Sequence, residues 1–179
     1  AGFLLQSVRN VDRVQERFDG GGVMVMRLVL PSERVDGPAY GDHEARLRFV
    51  SGLVDALASD PAVEAAAFTT DVPLDPPRTA SVALGGTDPS AEPPEAGILT
   101  VTADYFELFG VGALEGRLLD RSDREGSAPV ALVNERFADR YLDGAATAVG
   151  RRIRPGPSDP GAPWLEVVGV GPTLWDRPG

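Results

Sequence analysis

The sequence predicts an α+β fold: a mixed sheet with one long packing helix, plus a smaller second α+β lobe. Three observations carry that expectation. Residues 23–30, 44–59 and 63–70 read as strand, helix and strand, a βαβ unit or one half of a ferredoxin-like lobe. Residues 98–153 hold two copies of one local pattern: a strand, a capped short aromatic helix, a glycine and a turn. Proline- and glycine-rich stretches at 71–78, 85–97 and 155–163 separate these units.

In chain order, residues 1–17 read as an amphipathic helix. Leu4, Val8, Val11, Val14 and Phe18 recur at helical steps, while Arg9, Arg13 and Arg17 share another face. Asp19 and the run Gly20-Gly21-Gly22 break it, because glycines carry a large ordering cost. In the strand at 23–30, Val23, Val25, Arg27 and Val29 alternate with Met24, Met26, Leu28 and Leu30, so burial on both faces is expected. Asp42 is placed as N-cap of the helix at 44–59, whose core stripe is Leu47, Val50, Val54 and Leu57. Pro61 stops it, since proline disfavours α geometry at the preceding residue. A strand at 63–70 and a short one at 79–84 follow, then a polar excursion over 85–97.

The two aromatic units come next. After a strand at 98–101, Thr102 is expected to cap the helix that carries Tyr105, Phe106, Leu108 and Phe109, with Gly110 ending it at positive φ. Two turns are not stable alone, so these rings must be buried against something larger. In the second unit, residues 129–133 form a strand and Asn134 caps a helix with Phe137, Ala138, Tyr141 and Leu142 at helical spacing. Asp143-Gly144 closes it. Tyr105, Phe106, Phe137 and Tyr141 are therefore the expected core anchors, with Gly110 and Gly150 as turn positions. Strands at 152–154 and 164–170 complete the chain; residues 173–179 have no visible partner.

The 179 residues suit one domain or two small lobes sharing a core. A formal charge of −10 without a Lys/Arg-rich run leaves no nucleic-acid footprint and no basic patch for anionic lipid. The absence of cysteine excludes disulfides, thiol catalysis and thiolate metal sites. No run of about 20 apolar residues is present to span a bilayer. The chain begins without Met, as expected of a piece excised from a longer protein.

Few residues are arranged for chemistry. His43 is the sole histidine, which forbids a two-histidine metal site; a Gly-x-Ser-x-Gly elbow and a Walker lysine motif are both missing. The glycines at 110, 112 and 116 have the wrong spacing for a dinucleotide fingerprint and follow a helix rather than a strand. Asp120, Asp123 and Glu125 before Gly126 resemble a calcium loop, but the acids fall at positions one, four and six, and position twelve is Ala131. A solvated acidic turn fits better, and no cofactor is expected. Arg151, Arg152 and Arg154 alternate with Ile153 in a strand. They read either as a charged edge that blocks aggregation or as a docking surface for an acidic partner, the edge being the simpler account.

Taken in order, Thr102-Ala103-Asp104-Tyr105-Phe106, Phe109-Gly110, Glu115-Gly116-Arg117, residues 130–135, Arg140-Tyr141, residues 149–153 and residues 166–170 resemble the extracytoplasmic core domain of MacB/FtsX-like ABC transporter permeases. That resemblance implies residues 1–20 as a juxtamembrane helix and linker, with Gly2-Phe3-Leu4-Leu5 the last turn of a membrane span. Residues 21–179 would be the core domain: a porter-like lobe over about 21–104 plus the C-terminal strand, and a distal lobe over about 105–165. It also implies a non-enzymatic module that passes conformational change across the membrane. The partners implied are a cytoplasmic ABC ATPase, a second permease copy and a possible periplasmic protein. The family continues with further strands before its second span, so the chain is expected to stop short of them. Two other classes stay open: a free-standing periplasmic ligand- or peptide-binding module, and an acid-catalysed enzyme.

Overall fold

A nearly continuous apolar run over Leu165–Gly171, broken only by Glu166, forms the central strand of the sheet, with Val167 and Val170 wholly buried. The computed structural model describes residues 23–28, 30, 42–71, 78–88, 92–124, 126–157, 159 and 161–173. The amphipathic stretch at 1–17 and the residues after 173 lie outside them. In chain order the elements are α1 (His43–Ala58), β1 (Arg78–Leu84), β2 (Glu95–Ile98), α2 (Tyr105–Leu108), β3 (Glu115–Gly116), β4 (Val130–Asn134), α3 (Glu135–Tyr141), α4 (Ala145–Ala148), β5 (Arg152–Pro155) and β6 (Leu165–Gly171).

The sheet runs β2-β1-β5-β6-β3, with β4 also on β6. β4 is parallel to β6 and the other pairings are antiparallel, so the sheet is mixed and the fold is α+β. The β4–β6 register slips between Ala131 and Leu132, a bulge that leaves Val168 unpaired with β4. Its carbonyl turns instead to the Arg117 N–H at 3.0 Å.

One face of the sheet is the core. Val82, Val133, Ile153, Val167 and Val170 pack with Ala138, Leu142 and Ala148 of the α3–α4 segment. Burying each larger aliphatic contributes about 1.5–3 kcal/mol. Asn134 is the cap that was expected, its side-chain oxygen accepting the Phe137 N–H at 2.8 Å. Replacing it with alanine should cost about 1 kcal/mol in a denaturant melt, with Asn134→Asp keeping most of it. A second cluster gathers Tyr105 and Phe109 with Val23, Ala67, Leu99, Val101, Phe106, Leu108 and Val111.

Several expected elements change. Residues 23–28 form no strand, and Met24 and Met26 are 84% and 78% exposed instead of buried. An alternating apolar pattern states a need for burial but names no ladder partner, and only Val23 joins a cluster. The strand expected at 63–70 shrinks to a bridge between Thr69 and Val101. Helix α1 matches its expected span, yet none of its residues enters either cluster, and Leu57 is 42% exposed. The excursion at 85–97 ends in strand β2, because Ala96 and Ile98 reach the core from an edge position. Thr102 does not cap α2. Its hydroxyl accepts the Phe68 N–H at 2.9 Å, and Asp104 holds the cap position without a side-chain bond. Helix α4 was not anticipated. Finally, β1 pairs with β5, so sheet bonding joins residues on both sides of the expected lobe boundary near 104.

Candidate partner surface and lobe joint

Two places in this fold are candidates for a role beyond packing. The first is the joint between residues 23–70 and the sheet. Thr69 and Val101 face each other, flanked by Thr70 N–H to Thr100 O at 3.0 Å and Thr102 N–H to Phe68 O at 2.9 Å. The Thr70 hydroxyl also accepts the Thr100 N–H at 3.2 Å. Tyr105 sits at its centre, 2% exposed, with Phe106 and Phe109 edge-on at ring separations of 5.3 and 5.2 Å. The Tyr105 hydroxyl is buried with no hydrogen-bond partner, and burial pushes its pKa up to about 12. Gly110 ends α2 at φ 63°, where an L side chain would be strained.

The second place is the sheet face away from α3 and α4. Arg152 and Arg154 project there, their guanidinium carbons 5.9 and 5.1 Å from the Trp164 ring centroid. The charged-edge account fails, because β5 is hydrogen-bonded to β1 on one side and β6 on the other. These arginines occupy a face rather than an edge. Arg151 does not join them: it pairs with Asp143 at 3.0 Å.

The remaining expected anchors are placed unevenly. Phe106, Phe137 and Tyr141 are only half-buried. The Phe137 and Tyr141 rings lie tilted against each other at 5.1 Å on the rim of the main core, while Ala138 and Leu142 fill its interior. Gly150 turns at φ 84° and donates to Val167 O at 2.8 Å. Sequence reasoning missed Gly116 and Gly169, where β3 and β6 nearly touch. A Cβ on Gly169 would lie 2.1 Å from Arg117 O, and one on Gly116 2.3 Å from Val168 O. The clue was a glycine in the middle of an apolar strand.

The acidic turn is used internally. Arg117 donates two bonds to Asp123, at 2.6 and 2.8 Å, and Asp120 accepts from the Ser122 N–H and hydroxyl. Among the described residues no cluster of His, Asp and Glu is arranged to hold a metal. The bond from Arg117 holds the Asp123 carboxyl below the usual carboxylate range. A lowered folded pKa adds stability above the unfolded value, and that stability is lost as pH falls through the folded one. Asp123→Asn should therefore flatten part of the fall in stability below about pH 4. Arg117 is half-exposed, so solvent screening keeps the effect small. Melts in acid buffers would check it; an unchanged acid slope would show that the pair contributes nothing.

A family model for the MacB-like periplasmic core domain matches residues 5–178. The chain belongs to that family. The MacB-like domain is the extracytoplasmic part of an ABC transporter permease and is not itself catalytic, in line with the resemblance drawn from the sequence. Among solved structures, the periplasmic region of MacB from Actinobacillus actinomycetemcomitans shares the fold at TM-score 0.52 and 16% identity. The match covers 77% of this chain and 58% of that one. A domain of a putative permease protein from Porphyromonas gingivalis matches at TM-score 0.41 and 21% identity, over 54% of this chain and 36% of that one. No curated protein matches. Among the described residues, no helix of this MacB-like domain is long and apolar enough to cross a membrane.

Proposed function

We propose that this MacB-like domain couples ATP hydrolysis in the cytoplasm to export, or to a partner protein outside the membrane, by transmitting movement through its lobe joint. Hydrolysis takes place on a separate ATPase subunit or domain, and the permease works as a dimer. Residues 1–20 enter from a membrane span, residues 23–70 belong to the membrane-proximal lobe, and the sheet unit from 78 to 171 forms the distal one. The joint supports this reading: among the described residues, one bridge, a few hydrogen bonds and a small aromatic cluster connect the two parts. That is a thin connection beside the continuous sheet, and thin connections are where domains bend.

These 179 residues hold no cysteine, so an introduced pair would be the only thiols among them. Thr69 and Val101 form a non-hydrogen-bonded antiparallel pair, whose Cα separation of about 4.5 Å suits a disulfide. In the full-length permease reconstituted with its ATPase, Thr69→Cys with Val101→Cys should, when oxidised, retain ATP hydrolysis but lose transport. Reductant should restore it. Equal transport in both redox states would overturn the joint as the coupling element.

A further inference from the structure

Ile153 opposite Leu165 and Arg152 opposite Glu166 fix the β5–β6 register, and continuing it sets Arg154 beside Trp164 on the outer face. Arg140 also lies over an aromatic ring, that of Tyr141, but among the described residues two arginines share one ring only at Trp164. Arg48, Arg78, Arg117, Arg121 and Arg151 each form an ion pair with a carboxylate. Arg152 and Arg154 form none among the described residues, although Glu166 lies directly across the ladder from Arg152. Arg154 Nε is buried without a hydrogen-bond partner, and the same guanidinium only grazes Pro157 O at 3.4 Å. Trp164 is 38% exposed. Two guanidiniums without carboxylates share one indole, on a chain of formal charge −10.

We propose that this face docks an extended, carboxylate-rich segment of a partner protein, with two alternate acidic side chains engaging Arg152 and Arg154 across Trp164. The inference rests on the proposed partner outside the membrane. Spacing and charge both favour it. Arg152 and Arg154 lie two residues apart on one strand, about 6.6–6.8 Å, the repeat at which an extended peptide presents residues i and i+2 on one side. Planar guanidiniums bind carboxylates through paired N–H donors, and the cation–π contact with the indole pre-orders them at reduced entropic cost. A membrane surface or nucleic acid needs a wider basic field. Here Glu95 and Glu166 bound the site on the same face.

The test uses the 179-residue chain with Trp175→Phe, leaving Trp164 as the single tryptophan reporter. A synthetic peptide of alternating glutamate and threonine is titrated at low salt while Trp164 fluorescence is followed. Saturable change is expected, weakened at least about tenfold in the Arg152→Gln/Arg154→Gln variant and suppressed by 0.5 M salt, about three times the physiological ionic strength. Arg152→Lys/Arg154→Lys should recover only part, since lysine keeps the charge but not the planar fork. Binding that is absent, or equal in the glutamine variant, overturns the proposal. So does an equal response to phosphatidylglycerol vesicles or to an alternating lysine–threonine peptide. A failed titration alongside redox-switched transport would remove this surface and leave the joint mechanism standing.

Discussion

Gly169→Ala should destabilise the chain by about 3 kcal/mol, at the upper end of what overpacking costs. The added methyl would stand 2.1 Å from the Arg117 carbonyl oxygen and 2.9 Å from its nitrogen. Both are backbone atoms, so no side chain can rotate away, and β3 must leave the edge of β6. At this chain length the melting temperature should fall by roughly 6–12 °C. Gly112→Ala is the control, because a methyl added there would meet nothing within 4 Å. A shift below about two degrees at Gly169 would show that β3 can move without cost.

Tyr105→Ala should lose about 3–5 kcal/mol, the cost of emptying a buried aromatic site. Phe106→Ala should cost distinctly less, since Phe106 is half-buried. Tyr105→Phe is the informative variant. It keeps the ring and removes a hydroxyl that is buried without a partner, so it should be neutral or stabilising, by up to about 1–3 kcal/mol. The pH dependence follows from the raised pKa. The folded state resists ionisation of Tyr105, so the stability this gives is complete below the unfolded value near 10 and is lost as pH rises through about 12. The phenylalanine variant should lack that alkaline loss. A Tyr105→Phe variant less stable than the parent would mean that the hydroxyl has a partner in solution.

What the sequence disclosed and what it concealed follow physical lines. Local features were legible. Asn134 caps its helix, Gly110 and Gly150 turn at positive φ, and α1, β1, β5 and β6 lie within a residue or two of their expected spans. Pairing was not legible, because a ladder is chosen between distant segments. Residues 23–28 have the pattern of a buried strand but form no ladder, and only Val23 reaches a cluster, while residues 95–97 read as loop and become part of an edge strand. Large aromatic residues also drew attention that belonged to smaller ones. Ala138, at the centre of the core, is fully buried and Leu142 nearly so, while Phe137 and Tyr141 cover the rim. The arginines at 152 and 154 were visible as a pair, but only the sheet shows that they share a face with Trp164.

The central claim is that this domain faces the outside of the cell membrane within a permease. It is tested most directly by placing a single cysteine at Thr87, an exposed turn residue, in the full-length protein. Spheroplasts are then treated with a membrane-impermeant maleimide. Intact spheroplasts should be labelled to the same extent as lysed ones. Labelling only after lysis would place the domain in the cytoplasm and overturn its assignment to the outer side of the membrane.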